Sequence, residues 1–541
     1  MTDKNVISIV LNAHIPFVRK DKINFSFEEI QFFAAVSETL LPLLEMFDRL
    51  EADRIPFRMA MAVSPVLCHL LADKSLISHY IDYVDSQIAF GETELERVKD
   101  DAAMRKLAEY YYDTAIERRV NFTERYDKNI PKVLSYYQKK GRLELLASPA
   151  TNCFLPFYLE HYEVIRAQIE TALISHKKFF GVKPDGFWLP DMGYHPKLSA
   201  YLRNYGIDYT IIDTLGAILA EPRSKYGSFF PLKTKQGLHL LIKDFYAYRD
   251  IMDREQGFPV ESLFRNFFHD AADDLPLENI RSFIEDDGTR LSTGYKYYTI
   301  GDSERPRAVY NPEQAAEKAR NYAEQFIKGR ASALSSAEAL MREDLCEGTP
   351  VSLCAWDADF LGRFWHEGIV FLESVFRVGC RNDKIKFMTP SEYIDSQNET
   401  LFQTSEPEFS SSGFNGYAES WLDESTGQFY RHLFHASMRM AELAERFKNE
   451  TGIKERALKQ AAREMLLALS SDWPRLISTQ NVKSLPKWRD YAMRELESHL
   501  KNFTTIYEAL GSSYLSTRFL TETERLNRIF PDISYTVFRR K

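Results

Sequence analysis

The chain has 541 residues, with 69 Lys and Arg against 78 Asp and Glu, so its formal net charge is −9. Hydrophobic residues make up 44% and charged residues 27%, ordinary values for a globular protein that exclude wholesale disorder. The mild acidity argues against a general binder of nucleic acid or of an anionic membrane surface. The length predicts about three or four domains, or one large α/β barrel with additions.

The cysteines and the apolar segments predict a cytoplasmic protein. Five cysteines without a CxxC pair suggest neither a disulfide framework nor a zinc knuckle, and they fit a reducing compartment. The apolar run Val6–Leu11 is too short for a signal peptide, and the uncharged run Met59–Ala72 falls short of a bilayer span. We therefore expect no membrane partner and no nucleic-acid partner.

Short apolar runs, each followed by a polar turn, recur along the chain. They predict strands at Val6–Leu11, Phe57–Val63, Leu143–Ala147, Gly186–Leu189, Tyr209–Ile212, Leu238–Ile242, Val351–Ala355 and Ile385–Met388. Helix-period segments such as Phe32–Phe47 and Val164–Phe180 flank many of them. Strands that alternate with helices and are apolar on both faces indicate a parallel sheet. Seven or eight such runs favour a closed barrel, although the sequence alone does not establish closure.

Two other regions are predicted to be helical. Residues from about Ser75 to Lys139 are charged and amphipathic, as an insertion between early strands would be. From about Phe429 onward the pattern is almost continuously helical, and Arg456–Leu469 places its apolar residues on one face. The Ser-, Glu- and Pro-rich segment Leu401–Gly416 is interpreted as the link between barrel and helical domain.

Two carboxylates follow predicted strands that are far apart in the sequence. Asp191 comes after the fourth run and Asp357 after the seventh, and in a barrel of parallel strands both would open on the same mouth. The aromatic residues Trp188, Tyr194, Trp356 and Trp365 lie close to them in sequence. An opposed pair of carboxylates in an aromatic cleft is what glycoside cleavage requires. The alternative is that each Asp merely caps the following helix, which is common at strand ends.

Other chemistries find little support. His14 has Asn12 where a metal-binding HxH pair would have a second imidazole, and no HExxH occurs, so no metal and no cofactor are predicted. No GxGxxG, Walker or GxSxG motif occurs, which argues against nucleotide-dependent enzymes and serine hydrolases. Asp359 could tune Asp357 or could be solvated, and we favour the solvated interpretation.

Six segments resemble glycoside hydrolase family 57, and specifically its α-1,4-glucan branching enzymes. They are LNAHIPFVR (Leu11–Arg19), LELLASPATNCFLP (Leu143–Pro156), GFWLPDMGYHPKL (Gly186–Leu198), WDADFLGRFWHEG (Trp356–Gly368), GYAESWL (Gly416–Leu422) and SSDWPRLI (Ser470–Ile477). The resemblance implies an incomplete (β/α)7 barrel over residues 1–400, with a mainly helical insertion at about 75–140. It also implies a C-terminal helical domain over residues 401–541.

The resemblance implies roles for individual residues. Asp357 falls on the family's general acid/base, and Asp191 falls on the nucleophile position. The residues at or near glucan-contacting positions are His14, Asn152, Trp188, Tyr194, Trp356, Arg363, Trp365, Trp421 and Trp473. The implied partner is an α-1,4-glucan such as amylose or a glycogen-like polysaccharide.

The sequence departs from the family pattern at the active site. The nucleophile is Asp191 rather than Glu, and Asn12, Asn152 and Arg363 stand where the family has His; Ile242–Phe258 lacks a Trp-containing loop. Asp is one methylene shorter than Glu, so its carboxylate would sit roughly 1 Å or more back, which can cost about 10²-fold in rate. The shorter side chain would also widen the carboxylate gap beyond the ~5–5.5 Å of a retaining pair.

Three hypotheses remain open at this point. The first is a retaining α-glucan enzyme with weakened activity, and the second is a non-catalytic glucan-binding or regulatory protein on the same scaffold. The third is a metal-dependent carbohydrate deacetylase, which requires an Asp and two His around a metal and which Asn12 disfavours.

Overall fold

The computed structural model describes residues 4–19, 24–303, 307–413, 415–478, 486–512 and 515–540. Its strands are β1 Asn5–Ala13, β2 Met59–Val63, β3 Leu143–Leu146, β4 Gly186–Phe187, β5 Tyr209–Ile212, β6 Leu232–Lys233, β7 His239–Ile242, β8 Val351–Asp357, β9 Ile385–Phe387 and β10 Gln403–Thr404. All eight predicted strands are confirmed. The two-residue strands β6 and β10 were not predicted, because they carry no apolar run.

Seven strands form a parallel arrangement in which each has a paired neighbour on both sides. Parallel ladders join β3 to β2, β2 to β1 and β1 to β8, and further parallel ladders join β4 to β5 and β5 to β7. Isolated parallel bridges between Ala147 and Phe187 and between Lys243 and Leu353 connect the two sets. Because the strands are parallel, the loops after their carboxyl ends lie at one mouth.

Side chains of the strands alternate between two apolar clusters. Val10, Leu353 and Ala355 belong to a cluster that collects alternate residues from β1, β2, β3, β5, β7 and β8. Their neighbours in sequence, such as Ile9 and Trp356, belong to the larger core against the helices. Since side chains two apart share a face of a strand, Asp357 follows Leu353 and Ala355 inward, whereas Trp356 faces the helices.

The helices cover the sheet and build the C-terminal part of the chain. They are α1 Phe27–Ala35, α2 Leu41–Ala52, α3 Pro65–Leu70, α4 Lys74–Arg97, α5 Ala102–Val120, α6 Ile130–Lys139, α7 Tyr162–Phe180, α8 Leu198–Asn204, α9 Thr214–Ile218, α10 Phe245–Met252, α11 Ala271–Asp274, α12 Pro312–Glu343, α13 Gly368–Cys380, α14 Pro390–Ser396, α15 Gly427–Arg446, α16 Gly452–Ala468, α17 Asp472–Ile477, α18 Pro486–Ser512 and α19 Thr517–Leu526. Helices α4 to α6 confirm the predicted helical character between β2 and β3. Helices α15 to α19 confirm that of the C-terminal region, apart from residues 479–485, 513–514 and 541, which lie outside the described residues.

Among the described residues, one helical stretch is apolar enough for a membrane span. Phe27–Ala52 passes this test by length and composition, but 78% of its apolar window is buried inside the protein. That burial is typical of a core helix in a large domain. The stretch also contains a π-helical turn, Val36–Leu40, which its sequence pattern did not reveal.

The predicted link between the barrel and the helical region packs against the barrel. Its strand β10 pairs with β6, and Ser410 forms a bridge with Tyr194. The backbone N–H of Ser412 donates a hydrogen bond to the carbonyl oxygen of Asp191 (2.7 Å). This segment therefore supports the loop that carries one of the two candidate catalytic carboxylates.

Candidate active site

Polar side chains gather at the carboxyl ends of the seven parallel strands. The groups at or just beyond these ends are Asn12 and His14 after β1, Ser64 after β2, Asn152 after β3, Asp191 after β4, Asp213 after β5, Lys243 after β7 and Asp357 at the end of β8. Hydrogen bonds or ion pairs connect neighbouring strands here, including His14 with Ser64 and Lys243 with Asp213. The convergence that the strand ends predicted is therefore present.

Asp357 is held by a strand neighbour. Asn12 lies opposite it in the register between β1 and β8, and Asn12 Nδ2 donates a hydrogen bond to Asp357 Oδ1 (3.0 Å). Asp359 does not continue the strand and is not solvated, which corrects the favoured interpretation. It begins a π-helical turn and pairs with Arg363 Nη1 (3.0 Å), with its side chain only 18% exposed.

Asp191 lies in a tight turn after β4. Its backbone is left-handed (φ 47°, ψ 32°), a conformation that Asp and Asn tolerate better than most residues. Its Oδ2 accepts a hydrogen bond from Arg475 Nη1 (3.1 Å), an ion pair with the C-terminal helical region. Arg475 was not predicted as a site residue.

The helix-capping alternative fits other strand-end aspartates better. Asp213 accepts a hydrogen bond from the backbone N–H of Leu215, and Asp244 accepts from Tyr246 and Ala247, so both are N-caps. The side chain of Asp191 bonds to Arg475, and that of Asp357 bonds to Asn12. These two carboxylates therefore hold different partners from the helix-capping aspartates.

Burial raises the pKa of Asp191 above its ordinary value. Arg475 opposes this shift, the negative charges of Asp357 and Asp472 add to it, and His14 opposes it. The contribution of Asp357 to this shift agrees with the position of both carboxylates at the carboxyl ends of the parallel strands. Raised pKa values of this kind are common where carboxylates are brought together for catalysis.

Asp472, at the first residue of α17, ties the helical region to the strand ends. His14 Nε2 lies 2.9 Å from both of its carboxylate oxygens, and Asn152 Nδ2 donates to Oδ1 (3.0 Å). Ser470 Oγ donates to Oδ2 (2.8 Å). Burial acts to raise the pKa of Asp472, but these partners outweigh it and lower the pKa. His14 and Asn152 were predicted to contact glucan, and here they hold Asp472.

The line of Ser64, His14 and Asp472 resembles a nucleophilic triad, but its serine is not available for attack. Ser64 is 1% exposed, and its Oγ accepts the backbone N–H of Leu67 as the N-cap of α3. Nε2–H of His14 donates to the Asp472 carboxylate, and Nδ1 lies 2.8 Å from Ser64 Oγ. The arrangement fixes the orientation of His14.

Arg363 lies beneath exposed aromatic rings. Its guanidinium pairs with Asp359 and Gln31 and lies 4.7 Å from the ring centre of Phe364 and 5.8 Å from that of Phe267. The side chain is only 8% exposed. Phe364 and Phe268, in contrast, are 39% and 74% exposed, so this surface offers aromatic rings to a ligand.

The predicted aromatic contacts are buried. Trp356, Trp473 and Tyr194 have satisfied polar atoms, which bond to the carbonyls of Ala247 and Leu467 and to the Ser199 hydroxyl. Trp356 is in the core because it lies on the face of β8 opposite to Asp357, and Trp473 packs between α16 and α18.

Three other predicted tryptophans have buried indole N–H groups that are not hydrogen-bonded within the described part of the chain. Among the described residues, the buried indole N–H groups of Trp188, Trp365 and Trp421 have no hydrogen-bond partner. Buried indole N–H groups ordinarily find a partner. These three predicted residues are therefore the ones with donors left for a ligand or water.

Lys243 is a buried cation at the mouth. Its Nζ pairs with Asp213 Oδ2 (2.5 Å), bonds to Ser412 Oγ (3.1 Å) and lies 3.6 Å from the centre of the Tyr248 ring. Burial lowers the pKa of Lys243, against the attraction of Asp213. Lys243 was not predicted as a site residue, although its position directly after a buried strand indicated one. The signal for Arg475 and Asp472 was the segment Ser470–Ile477, which resembles the family's helical domain and of which only Trp473 was predicted as a site residue.

The described residues bring no metal-binding cluster to the site, and one cavity lies away from it. Within the described ranges, no group of three or more His, Cys, Asp and Glu side chains is placed to hold a metal ion. A cavity of about 370 Å³ lies between α1 and α18, lined by residues including Arg19, Glu285 and Lys487. Neither Asp191 nor Asp357 lines it, so it does not belong to the site.

Comparison with known proteins identifies the family of this chain. The profile described as Glycosyl hydrolase family 57 matches residues 8–406, which is most of the chain. The chain belongs to glycosyl hydrolase family 57. A second profile, 1,4-alpha-glucan branching enzyme, C-terminal, matches residues 432–538.

Relatives of this family 57 chain match it over nearly its full length. The 1,4-alpha-glucan branching enzyme TK1436 of Thermococcus kodakarensis is 25% identical over 533 residues, covering 92% of this chain and 73% of its own. The crystal structure of the alpha-amylase AmyC from Thermotoga maritima is 30% identical, with a TM-score of 0.90 and full coverage of both chains. The GH57-type branching enzyme of Pyrococcus horikoshii has the same fold, with a TM-score of 0.86 at 24% identity, covering 100% of this chain and 97% of its own.

Proposed function

We propose that this protein cleaves α-1,4 links of an α-glucan and transfers the released chain to another glucan or to water. The observation that carries the proposal is the position of Asp191 and Asp357 at the carboxyl ends of parallel strands that open on one mouth. Family membership supports an α-glucan as substrate, since the relatives are a branching enzyme and an amylase by name. Branching is the favoured reaction because the C-terminal region matches that of branching enzymes.

The proposed reaction uses the two carboxylates in different roles. Asp357 protonates the leaving glycosidic oxygen, and Asp191 attacks the anomeric carbon to form a glycosyl ester. Asp357 then removes a proton from an incoming hydroxyl, which displaces Asp191 and restores both groups. The ion pair with Arg475 favours the ionised state that Asp191 needs as a nucleophile.

We also propose the finer division of the fold. The seven paired strands support an incomplete (β/α)7 barrel over residues 1–400, with the helices of residues 75–140 as an insertion. Residues 401–541 would be the C-terminal helical domain, although its first residues pack on the barrel. A cytoplasmic location stays a prediction from the cysteine pattern.

Glucan contacts are proposed where donors or rings are available. The indole N–H groups of Trp188, Trp365 and Trp421 can donate to sugar hydroxyls, since no described residue satisfies them. His14 and Asn152 would act through Asp472 as well as on the sugar. Four other predicted residues would stabilise the site without contacting glucan, because their side chains already hydrogen-bond to the protein. They are Arg363, Trp356, Trp473 and Tyr194.

A non-catalytic glucan-binding protein is the second candidate. The short side chain of Asp191 favours it, because a carboxylate one methylene shorter than that of Glu sits farther from the anomeric carbon. The two candidates are separated by the chain-length profile of amylose after long incubation, recorded with and without a debranching enzyme. Asp357→Asn protein is the matched control.

Each profile decides between the candidates. Shorter chains that appear only after debranching would establish branching, and shortening without debranching would establish hydrolysis or disproportionation. An unchanged profile, with amylose still retarding the protein in an affinity gel, would establish the binding protein.

A further inference from the structure

The contact between Asp191 and Arg475 joins the candidate nucleophile to the C-terminal helical region. Arg475 lies on α17, and its Nη1 is 3.1 Å from Asp191 Oδ2. The guanidinium also lies 5.9 Å from the ring centre of Trp421, which stacks on Phe154 (4.7 Å between ring centres). Arg475 thus bridges a barrel loop and an aromatic stack.

We infer that Arg475 is the positioning residue that holds the Asp191 carboxylate at the barrel mouth, so that catalysis depends on the docking of α17. The inference rests on the proposed function and deepens it. Arg475 is not proposed to react. It acts through Asp191, by fixing the direction of a short side chain that no helix N-terminus restrains.

The turn that carries Asp191 leaves the carboxylate in need of a fixed partner. The left-handed backbone and the hydrogen bond from Ser412 N–H to the Asp191 carbonyl set the direction of its Cβ. The rotation of the carboxylate group about its own bond is broad for Asp. A charged hydrogen bond from a guanidinium restricts that rotation more strongly than a neutral donor would.

Helix α17 is itself anchored to the barrel next to Asp191. Asp472 accepts from His14 and Asn152, and Ser471 Oγ donates to the carbonyl oxygen of Asn152 (2.5 Å). Trp473 is fully buried between α16 and α18. Because Arg475 is three residues from Asp472 on this anchored helix, its position is set by groups that do not include Asp191.

The charges around Asp191 determine how its pKa changes when Arg475 is replaced. The groups that face it electrostatically are Asp357 from β8, His14 after β1, Asp472 and Arg475 from α17, Lys243 after β7 and Tyr248 from α10. Burial, Asp357 and Asp472 raise the pKa of Asp191, while Arg475 and His14 lower it. Removing Arg475 therefore raises the pKa of Asp191 further.

The test compares Arg475→Met and Arg475→Lys with Arg456→Met as the matched control. Arg456 also lies in the C-terminal region, pairs with Glu524 (2.6 Å) and is 48% exposed, against 43% for Arg475. Two readouts are used on the full chain. One is the pH profile of kcat/KM on amylose, and the other is the pH dependence of carbodiimide labelling of Asp191, followed by peptide mass spectrometry.

The expected result is the same shift in both readouts. Arg475→Met moves the acidic limb of kcat/KM and the midpoint of Asp191 labelling to higher pH by about 1 unit, the low end for loss of a close opposite charge. Arg475→Lys keeps a positive charge and returns both midpoints most of the way to those of the unsubstituted protein, and Arg456→Met leaves both curves unchanged. A merely structural role would lower activity at every pH without moving the midpoint.

Failure of the inference and failure of the proposed function give different results. An unchanged labelling midpoint in Arg475→Met overturns the inference, whether or not the protein turns over glucan. No turnover in the unsubstituted protein, together with a shifted labelling midpoint, overturns the proposed function and keeps the ion pair as the group that holds Asp191.

Discussion

Lengthening the candidate nucleophile is the sharpest perturbation that the site allows. Asp191→Glu adds one C–C bond, which moves the carboxylate by up to about 1.5 Å toward the mouth. A misplacement of about 1 Å can cost roughly 10²-fold in rate, or about 2.7 kcal/mol of activation free energy. We therefore expect kcat/KM on amylose to rise about 10²-fold, because the longer side chain can reach the anomeric carbon and still meet Arg475.

The backbone imposes an opposing cost on stability. Residue 191 is left-handed (φ 47°), and a longer side chain is less favourable there than Asp, by up to about 1 kcal/mol in the free energy of unfolding. The assay is initial-rate release and transfer on amylose, with denaturant unfolding measured on the same preparations and Asp191→Asn as the inactive control. Unchanged or lower kcat/KM in a folded Asp191→Glu variant would refute the reasoning that a short carboxylate limits the rate.

The remaining predictions concern the acid, the anchor of α17 and the aromatic surface. Asp357→Asn lowers kcat on amylose by about 10³-fold, because it removes the proton donor. Asp472→Ala lowers the free energy of unfolding by about 3 kcal/mol, since it leaves His14 and Asn152 without their buried acceptor. Because the pKa of Asp472 is lowered in the folded protein, its stabilisation is present above the ordinary Asp pKa and is lost as pH falls through the lowered value. Phe268→Ala raises KM for amylose about fivefold, since it removes about 1 kcal/mol of apolar contact from a 74% exposed ring.

Each of these predictions has its own control. Asp359→Asn should leave most of kcat, and equal losses at both positions would contradict the assignment of Asp357 as acid. Asp532→Ala breaks an exposed ion pair with Lys178 and should lower the free energy of unfolding by at most about 1 kcal/mol. If Asp472→Ala lowers it by no more than this, Asp472 is not a buried anchor of α17. Leu345→Ala removes an 88% exposed side chain elsewhere, and a KM change as large as that of Phe268→Ala would remove the case for a glucan surface.

The sequence predicted the strands of this fold well. Tyr209–Ile212 has its predicted bounds, and Val351–Ala355 was extended by two residues to Asp357. Buried parallel strands are strongly apolar over their whole length, so the pattern locates them without knowledge of their partners. The π-helical turn at Val36–Leu40 and the packing of residues 403–412 on the barrel could not be predicted, because both depend on tertiary contacts.

The candidate site was predicted in part. Asp191 and Asp357 were found because each comes within two residues after a predicted strand, and parallel pairing places the ends of those strands at one mouth. Arg475 and Asp472 were missed because α17 approaches the mouth through tertiary folding, which no local spacing reveals. Trp356 was taken for a cleft residue because it is next to Asp357 in sequence, yet alternation along β8 sends the two side chains to opposite faces.

The central claim is that Asp191 carries the glycosyl group in a retaining reaction. It is tested most directly with a fluorinated α-glucosyl fluoride that accumulates the glycosyl-enzyme, followed by peptide mass spectrometry of the full chain. If Asp191 is the nucleophile, one glycosyl group attaches to Asp191, and Asp191→Asn abolishes the attachment. Glucan turnover without any labelled Asp191, or a glycosyl group on another side chain, would contradict it.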